Sequence, residues 1–258
     1  MAGSNEAGKA DALQPHGAGT LRLSRPVLLL LVIVVLFAAL VALYGFDATA
    51  QATVNGLVAG GYLGLGAIGL SLILGILKLV NFAHGDLLVA GAYFTILFGW
   101  LGLPLVVAML FAMIATAALA VLTEKVVWQP LRQAGAGTLQ LFLSAIGLAL
   151  VLRFGIQFFA GSQVRTLGAD IVSSITIGPI HLGTLQAVAL VTGLVVMAVV
   201  GLALRFTGIG KEMRAFADNR ALAEVSGINT RRIIDVTWAA SGFLAALGRH
   251  ELPWEKVT

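Results

Sequence analysis

The stretch PVLLLLVIVVLFAALVALY, from Pro26 to Tyr44, carries no charged side chain and is apolar on every face a helix could present. A surface helix of a water-soluble domain needs a polar face opposite its apolar stripe, and this one has none. Its length suits the roughly 20 residues that a helix needs to cross the hydrocarbon of a bilayer. Similar runs return at about 53–77, 86–101, 104–123, 138–160, 184–204 and 233–248. Charged residues make up only 11% of the chain, against about 25% in soluble domains. The expected fold class is all-α: a polytopic transmembrane helical bundle with about 6–7 spans. A membrane β-barrel does not fit, because its strands would alternate apolar and polar residues.

Charge sets the expected orientation. Residues 1–25 are small and polar and read as a polar cytoplasmic tail. Residues 26–45 read as an N-terminal membrane helix or a signal-like segment, with Arg22 and Arg25 before it and ATAQA (48–52) after it. The run exceeds the usual ~7–15-residue apolar region of a signal peptide. Both readings put the chain near Ala50 outside the cytoplasm. With the tail inside, Lys9, Arg22, Arg25, Lys78, Lys125, Arg132, Arg205, Lys211, Arg214, Arg220, Arg231 and Arg232 fall on the cytoplasmic side. Arg165, Arg249 and Lys256 fall outside, and Arg153 lies within a span. This is a positive-inside pattern. The net charge of +4 then reflects topology, and nucleic acid is not an expected partner.

Several chemistries lack their residues. The chain has no cysteine, so thiolate chemistry and Cys-based metal sites are excluded. His16, His84, His181 and His250 are scattered without metal-ligand spacing. There is no GxxxxGK[ST] phosphate loop, no HExxH and no GxSxG. No catalytic residue, metal or cofactor is expected, and any ATP must be bound by another chain.

Two polar segments stand out. In VNFAHGDLLVAGAY (80–93), Asn81, His84, Gly85 and Asp86 crowd together at the expected cytoplasmic end of two spans. Asn81 can satisfy backbone groups at a turn, Gly85 relieves steric restriction, and His84 can hydrogen-bond across the turn. Asp86 suits the positive end of the next helix. The alternative is a proton or ion site, although neither His84 nor Asp86 has an oppositely charged neighbour close in sequence. The second segment is the loop 205–232. Gly208 and Gly210 break the preceding span, and Lys211–Val225 fits one helix. Met213, Phe216, Ala217, Ala221 and Val225 would form its apolar stripe, and Gly227 would end it. Such a helix can lie in a groove of a partner protein or on a membrane lipid surface.

NFAHGDLLVAGAY, preceded by GLGAIGLSLILGILKLV, resembles the NFAHGE-type motif of Liv-type permeases, the membrane subunits of branched-chain amino acid ABC importers. TEKVVWQPLR (123–132) is similar to that family's ER-x-x-x-RPLR segment, with Gln129 in place of an Arg, and LSAIGLALVL (143–152) is also family-like. The loop residues Gly210, Lys211, Arg214, Ala215, Ala217, Asn219, Ala223, Gly227 and Ile228 resemble the coupling-helix loop of importer permeases. The resemblance covers 53–248, an ABC permease transmembrane domain that is incomplete at its C-terminus, followed by a non-family tail at 249–258. It implies a permease subunit of the bacterial inner membrane that forms a translocation path for branched-chain or other amphipathic amino acids. It further implies a second homologous permease, two cytoplasmic ATP-binding subunits docked through 205–232, an external solute-binding protein and a cytoplasmic gate or turn shaped by Asn81, His84, Gly85 and Asp86. Urea or short amides are an alternative substrate class. An ATP-independent secondary transporter or channel, coupled through Asp86, is an alternative mechanism, and a lipid-binding scaffold a third reading.

Overall fold

The computed structural model describes residues 24–161 and 174–250. The expected tail as far as residue 23, the loop residues 162–173 with Arg165, and the expected tail from residue 251 lie outside the described residues. Among the described residues, 24–49 form one compact unit and those from 50 onward a second.

The first unit carries α1 (Arg25–Tyr44). Pro26 opens it, where a missing N–H costs nothing, and Gly45 closes it at φ +84°. α2 (Phe46–Leu72) follows directly and runs on through a π-helical turn, Ile73–Leu77. The sequence suggested a start near residue 53. Nothing between Gly45 and Thr53 breaks a helix, so it begins earlier.

The second unit continues with α3 (His84–Trp100) and α4 (Leu105–Thr123). α4 runs through a second π-helical turn (Glu124–Trp128) into the short α5 (Gln129–Gln133). α6 (Thr138–Ala160) and α7 (Thr184–Phe206) come next, then α8 (Gly208–Asp218), α9 (Arg220–Val225) and α10 (Thr230–His250). Among the described residues, Arg25–Tyr44, Phe46–Leu77, Leu105–Gln133, Thr138–Ala160 and Gln186–Phe206 are long and apolar enough to cross a membrane. This is an all-α, polytopic bundle with five such helices. α3, with 17 residues, falls short by length. α10 opens on Thr230, Arg231 and Arg232 and carries Asp235, which makes its first half polar.

The loop expected before α7 contains an antiparallel hairpin, β1 (Ser174–Ile177) with β2 (Ile180–Gly183). Its register pairs Ser174 with Gly183 and Ile177 with Ile180. Gly178, at φ +59°, supplies the turn that Pro179 cannot. Gln51 binds the hairpin through both ends of its amide: Nε2 donates to the His181 carbonyl at 2.9 Å, and Oε1 accepts from the His181 N–H at 2.7 Å.

The core lies where α3, α4 and α10 pack together. Lipid supplies no hydrophobic drive between helices, so close backbone approach matters. A Cβ on Gly242 of α10 would lie 2.6 Å from the Ala120 Cβ and 2.7 Å from the Thr116 carbonyl oxygen. A Cβ on Gly91 of α3 would lie 2.6 Å from the Ala246 Cα. Two buried hydroxyls here are satisfied within their own helices: Thr116 donates to the Ala112 carbonyl at 2.8 Å and Thr237 to that of Ile233 at 2.7 Å.

Candidate functional site

The segment between α2 and α3 forms a turn at Phe82–Ala83 on entering α3, with the His84 N–H donating to the Asn81 carbonyl at 3.3 Å. Lys78 takes the left-handed conformation (φ 54°) just after the π-turn, and the chain then folds back into the bundle. Leu79, Asn81 and Ala83 are buried. Irregular backbone at this depth is tolerated where protein covers it. Asn81 Oδ1 accepts from the Ala83 N–H at 3.1 Å, the local role expected of it, but its Nδ2 is buried without a partner. The His84 ring does not bond across this turn. Its Nε2 lies 2.9 Å from the Gly66 carbonyl oxygen of α2, and its Nδ1 lies 3.4 Å from Ser241 Oγ of α10. Ser241 donates in turn to the Gly69 carbonyl at 2.9 Å. Gly66 sits nearly two turns, roughly 9 Å, before the Leu72 end of α2, and Ser241 about three turns, roughly 16 Å, after the Thr230 start of α10. His84 therefore clasps α2 to α10 in the middle of the bundle.

Gly69 makes that clasp possible. A Cβ there would stand 2.8 Å from His84 Cε1 and 2.9 Å from the Ser241 carbonyl oxygen. Gly85 has no comparable role: it is the second residue of α3, and a Cβ on it would meet open space. The left-handed residue is Lys78, and Gly85 is helical, so the steric relief expected of Gly85 is not needed there.

Asp86 lies in the first turn of α3, as expected, and is buried. Its partner comes from 67 positions away: Arg153 Nε of α6 donates to Asp86 Oδ1 at 3.1 Å. No reading of sequence neighbours finds this pair. Beside it, a cavity of about 360 Å³ is lined by Leu63, Gly66, Leu70, Phe82, His84 and Leu88, with Asn81 also on its wall. Phe82 meets Phe142 of α6 edge-on, with ring centroids 5.1 Å apart.

TEKVVWQPLR forms a second cluster. Glu124 is buried in the π-turn and binds Arg132 one helical stretch later. Trp128 stacks on Trp238 of α10, with centroids 6.0 Å apart and rings 16° from parallel, and both are fully buried. Lys125 and Asp235 approach to 3.9 Å at a more exposed position. Gln129 sits at the start of α5, outside this ion pair.

The loop 205–232 holds two helices where one was expected. Asn219 is extended (φ −153°, ψ 103°), and its side chain accepts from the Leu222 N–H at 3.0 Å, so it ends α8 and caps α9. An Asn in mid-helix competes with the backbone in this way. Thr207 caps α8 by accepting from the Gly210 N–H at 3.1 Å. Gly210 is buried, and a Cβ there would collide with the Leu204 carbonyl oxygen at 2.4 Å. Arg214 donates to that same carbonyl and pins α8 to the end of α7. The apolar stripe is divided. Met213 and Phe216 of α8 and Ala223 of α9 enter the core with Ile76 and Ile233, and Ala217 is half-buried. Ala221 and Val225 instead face outward, as does Leu222. Lys211, Arg214 and Ala215 are exposed, Ile228 is half-buried, and Gly227 ends α9 at φ +83°.

Comparison with known proteins fits this architecture. Residues 52–248 match the family described as "Branched-chain amino acid transport system / permease component". The high-affinity branched-chain amino acid transport system permease protein BraD of Pseudomonas aeruginosa is 29% identical over 211 residues, which covers 76% of this chain and 68% of that protein. The permease proteins LivH of Salmonella typhimurium and of Escherichia coli are 29% and 28% identical over 214 residues, with the same shares covered. No solved structure matches the chain. Its relatives are permease proteins and not enzymes. Together with the apolar helices, the bacterial relatives make it a multi-pass protein of the bacterial inner membrane. With three quarters of its length inside the family match, the chain belongs to the permease components of branched-chain amino acid transport systems.

Proposed function

We propose that the chain is the membrane-spanning subunit of an ATP-driven importer for branched-chain or other amphipathic amino acids. In this reading it pairs with a second homologous permease, receives substrate from an external solute-binding protein, and couples to two cytoplasmic ATPase subunits through α8 and α9. The observation that carries the docking half is the split loop. Its buried residues, Met213 and Phe216, anchor it to the bundle. Its outward residues, Leu222 (63% exposed) and Val225 (86% exposed), remain for a partner. A short amphipathic element fixed on one face and apolar on the other suits helix-in-groove recognition. In this reading the polar clasp of His84 and Ser241 and the Asp86–Arg153 pair border the translocation path. The alternative of a carrier coupled through a free Asp86 has less support, because Arg153 already occupies that carboxylate.

The test is co-purification of the tagged chain from gently solubilised membranes, with partners identified by mass spectrometry. A Walker-motif ATPase and a second permease are expected. Leu222→Asp should lower ATPase recovery about tenfold or more, the loss of one buried hot-spot contact, and leave the second permease bound. Unchanged ATPase recovery in that variant counts against docking through α9.

A further inference from the structure

We propose that Arg153, held by Asp86, is the group on the transport path that takes up the carboxylate of the passing substrate; this rests on the importer reading above.

Arg153 is an anomaly on its helix. α6 carries no other charged side chain and buries only Ala145. The Arg153 side chain is 59% exposed and sits about two turns, roughly 10 Å, inside the Ala160 end. A guanidinium facing bare lipid at such a depth is costly, so ionisable groups there face protein or a water-filled path. Its position is fixed. Nε donates to Asp86, whose own side chain is 5% exposed, while Nη1 and Nη2 make no hydrogen bond among the described residues. The pair thus presents an oriented two-pronged donor edge, the geometry that receives a carboxylate bidentately.

The second half of an amphipathic amino acid needs apolar room close by. His84 and Gly85 line the apolar cavity, and Asp86 is the next residue of the same first turn of α3. The cavity wall reaches α6 through the Phe82–Phe142 contact. The Arg153–Asp86 pair and the apolar cavity both adjoin the first turn of α3, and a cation near an apolar lining matches a carboxylate with an aliphatic side chain. They do not match urea or a short amide, which lacks both. Asp86 acts here as a positioning residue and Arg153 as the contact.

The test must separate contact from scaffold. The Asp86→Leu/Arg153→Met double variant removes the pair as a unit, a replacement that often leaves stability unharmed. It would be expressed with the subunits that co-purify with the chain. The readout is the initial rate of radiolabelled leucine uptake per assembled complex. Normal assembly with uptake lowered about 10–100-fold is expected, the loss of one charge-assisted interaction. Uptake equal to wild type in an assembled double variant would overturn the proposal. Should that variant not assemble, single variants decide: Arg153→Lys keeps the cation and should retain more uptake than Arg153→Gln. Equal uptake by those two also overturns it. A wild-type complex that moves no leucine defeats the importer reading itself, an outcome distinct from a loss confined to the variants.

Discussion

The three glycines of α3 stand in two kinds of surroundings, crowded at Gly91 and open at Gly85 and Gly99, and alanine should act differently in each kind. At Gly91 the added methyl would lie 2.6 Å from the Ala246 Cα, 2.8 Å from the Ala246 Cβ and 3.3 Å from Thr116 Oγ1. Carbon atoms rest at about 3.5–4.0 Å, so α3 and α10 must part by about 1 Å. Neither nearest atom is the end of a flexible side chain, and both belong to a helix that also packs on α4. Overpacking of this kind costs about 1–3 kcal/mol. Alanine in place of glycine within a helix returns about 0.5–1 kcal/mol. The net effect is a loss of about 1–2 kcal/mol. At Gly99, and at Gly85, nothing lies within 4 Å. There the helix term acts unopposed, and Gly99→Ala should stabilise by up to about 1 kcal/mol. The assay is thermal unfolding of the purified chain in one detergent, with wild type, Gly91→Ala and Gly99→Ala side by side. Gly91→Ala should melt below wild type and Gly99→Ala at or above it. A Gly91→Ala protein that melts as high as Gly99→Ala would refute the claim that close α3–α10 approach builds the core.

Other outcomes follow from the same packing. Phe216→Ala empties a buried aromatic site that joins α8 to the core and should cost about 3–5 kcal/mol, read as a lower melting temperature; a loss under 1 kcal/mol would mean that α8 is not anchored there. Arg132→Met leaves Glu124 buried without its cation and should cost about 3–5 kcal/mol. Lys125→Ala removes a half-exposed contact to Asp235 and should change the melting point by less than about 1 kcal/mol equivalent. An equal loss in both variants would contradict the distinction between the two pairs.

Much of the fold was legible because apolar length is a local property. The long runs became helices, and Gly45, Gly161 and Gly227 mark boundaries by their left-handed backbone. What the sequence hid was long-range. The clasp of His84 on Gly66 and Ser241 joins three elements, and Arg153 meets Asp86 across 67 positions. Spacing arguments see only neighbours, so Asp86 looked unpaired. The buried Glu124–Arg132 pair and the Trp128–Trp238 stack escaped for the same reason, although a Glu and a Trp within an apolar stretch were the available signal. In the loop, periodicity put Met213 and Phe216 on one apolar stripe, expected to meet a partner or lipid, and that part of the stripe packs into the chain's own core. Periodicity failed beyond Asn219, where a side chain that caps its own backbone resets the helix phase and turns Ala221 and Val225 outward.

The central claim is that this subunit works in an ATP-driven importer. The most direct test is leucine uptake into proteoliposomes holding the co-purified complex, with the solute-binding protein outside and ATP sealed in the lumen on the ATPase side. The account predicts uptake that requires ATP, persists when a protonophore and a sodium ionophore collapse ion gradients, and stops with a hydrolysis-deficient ATPase. Uptake that ignores ATP and disappears with the gradient would contradict it.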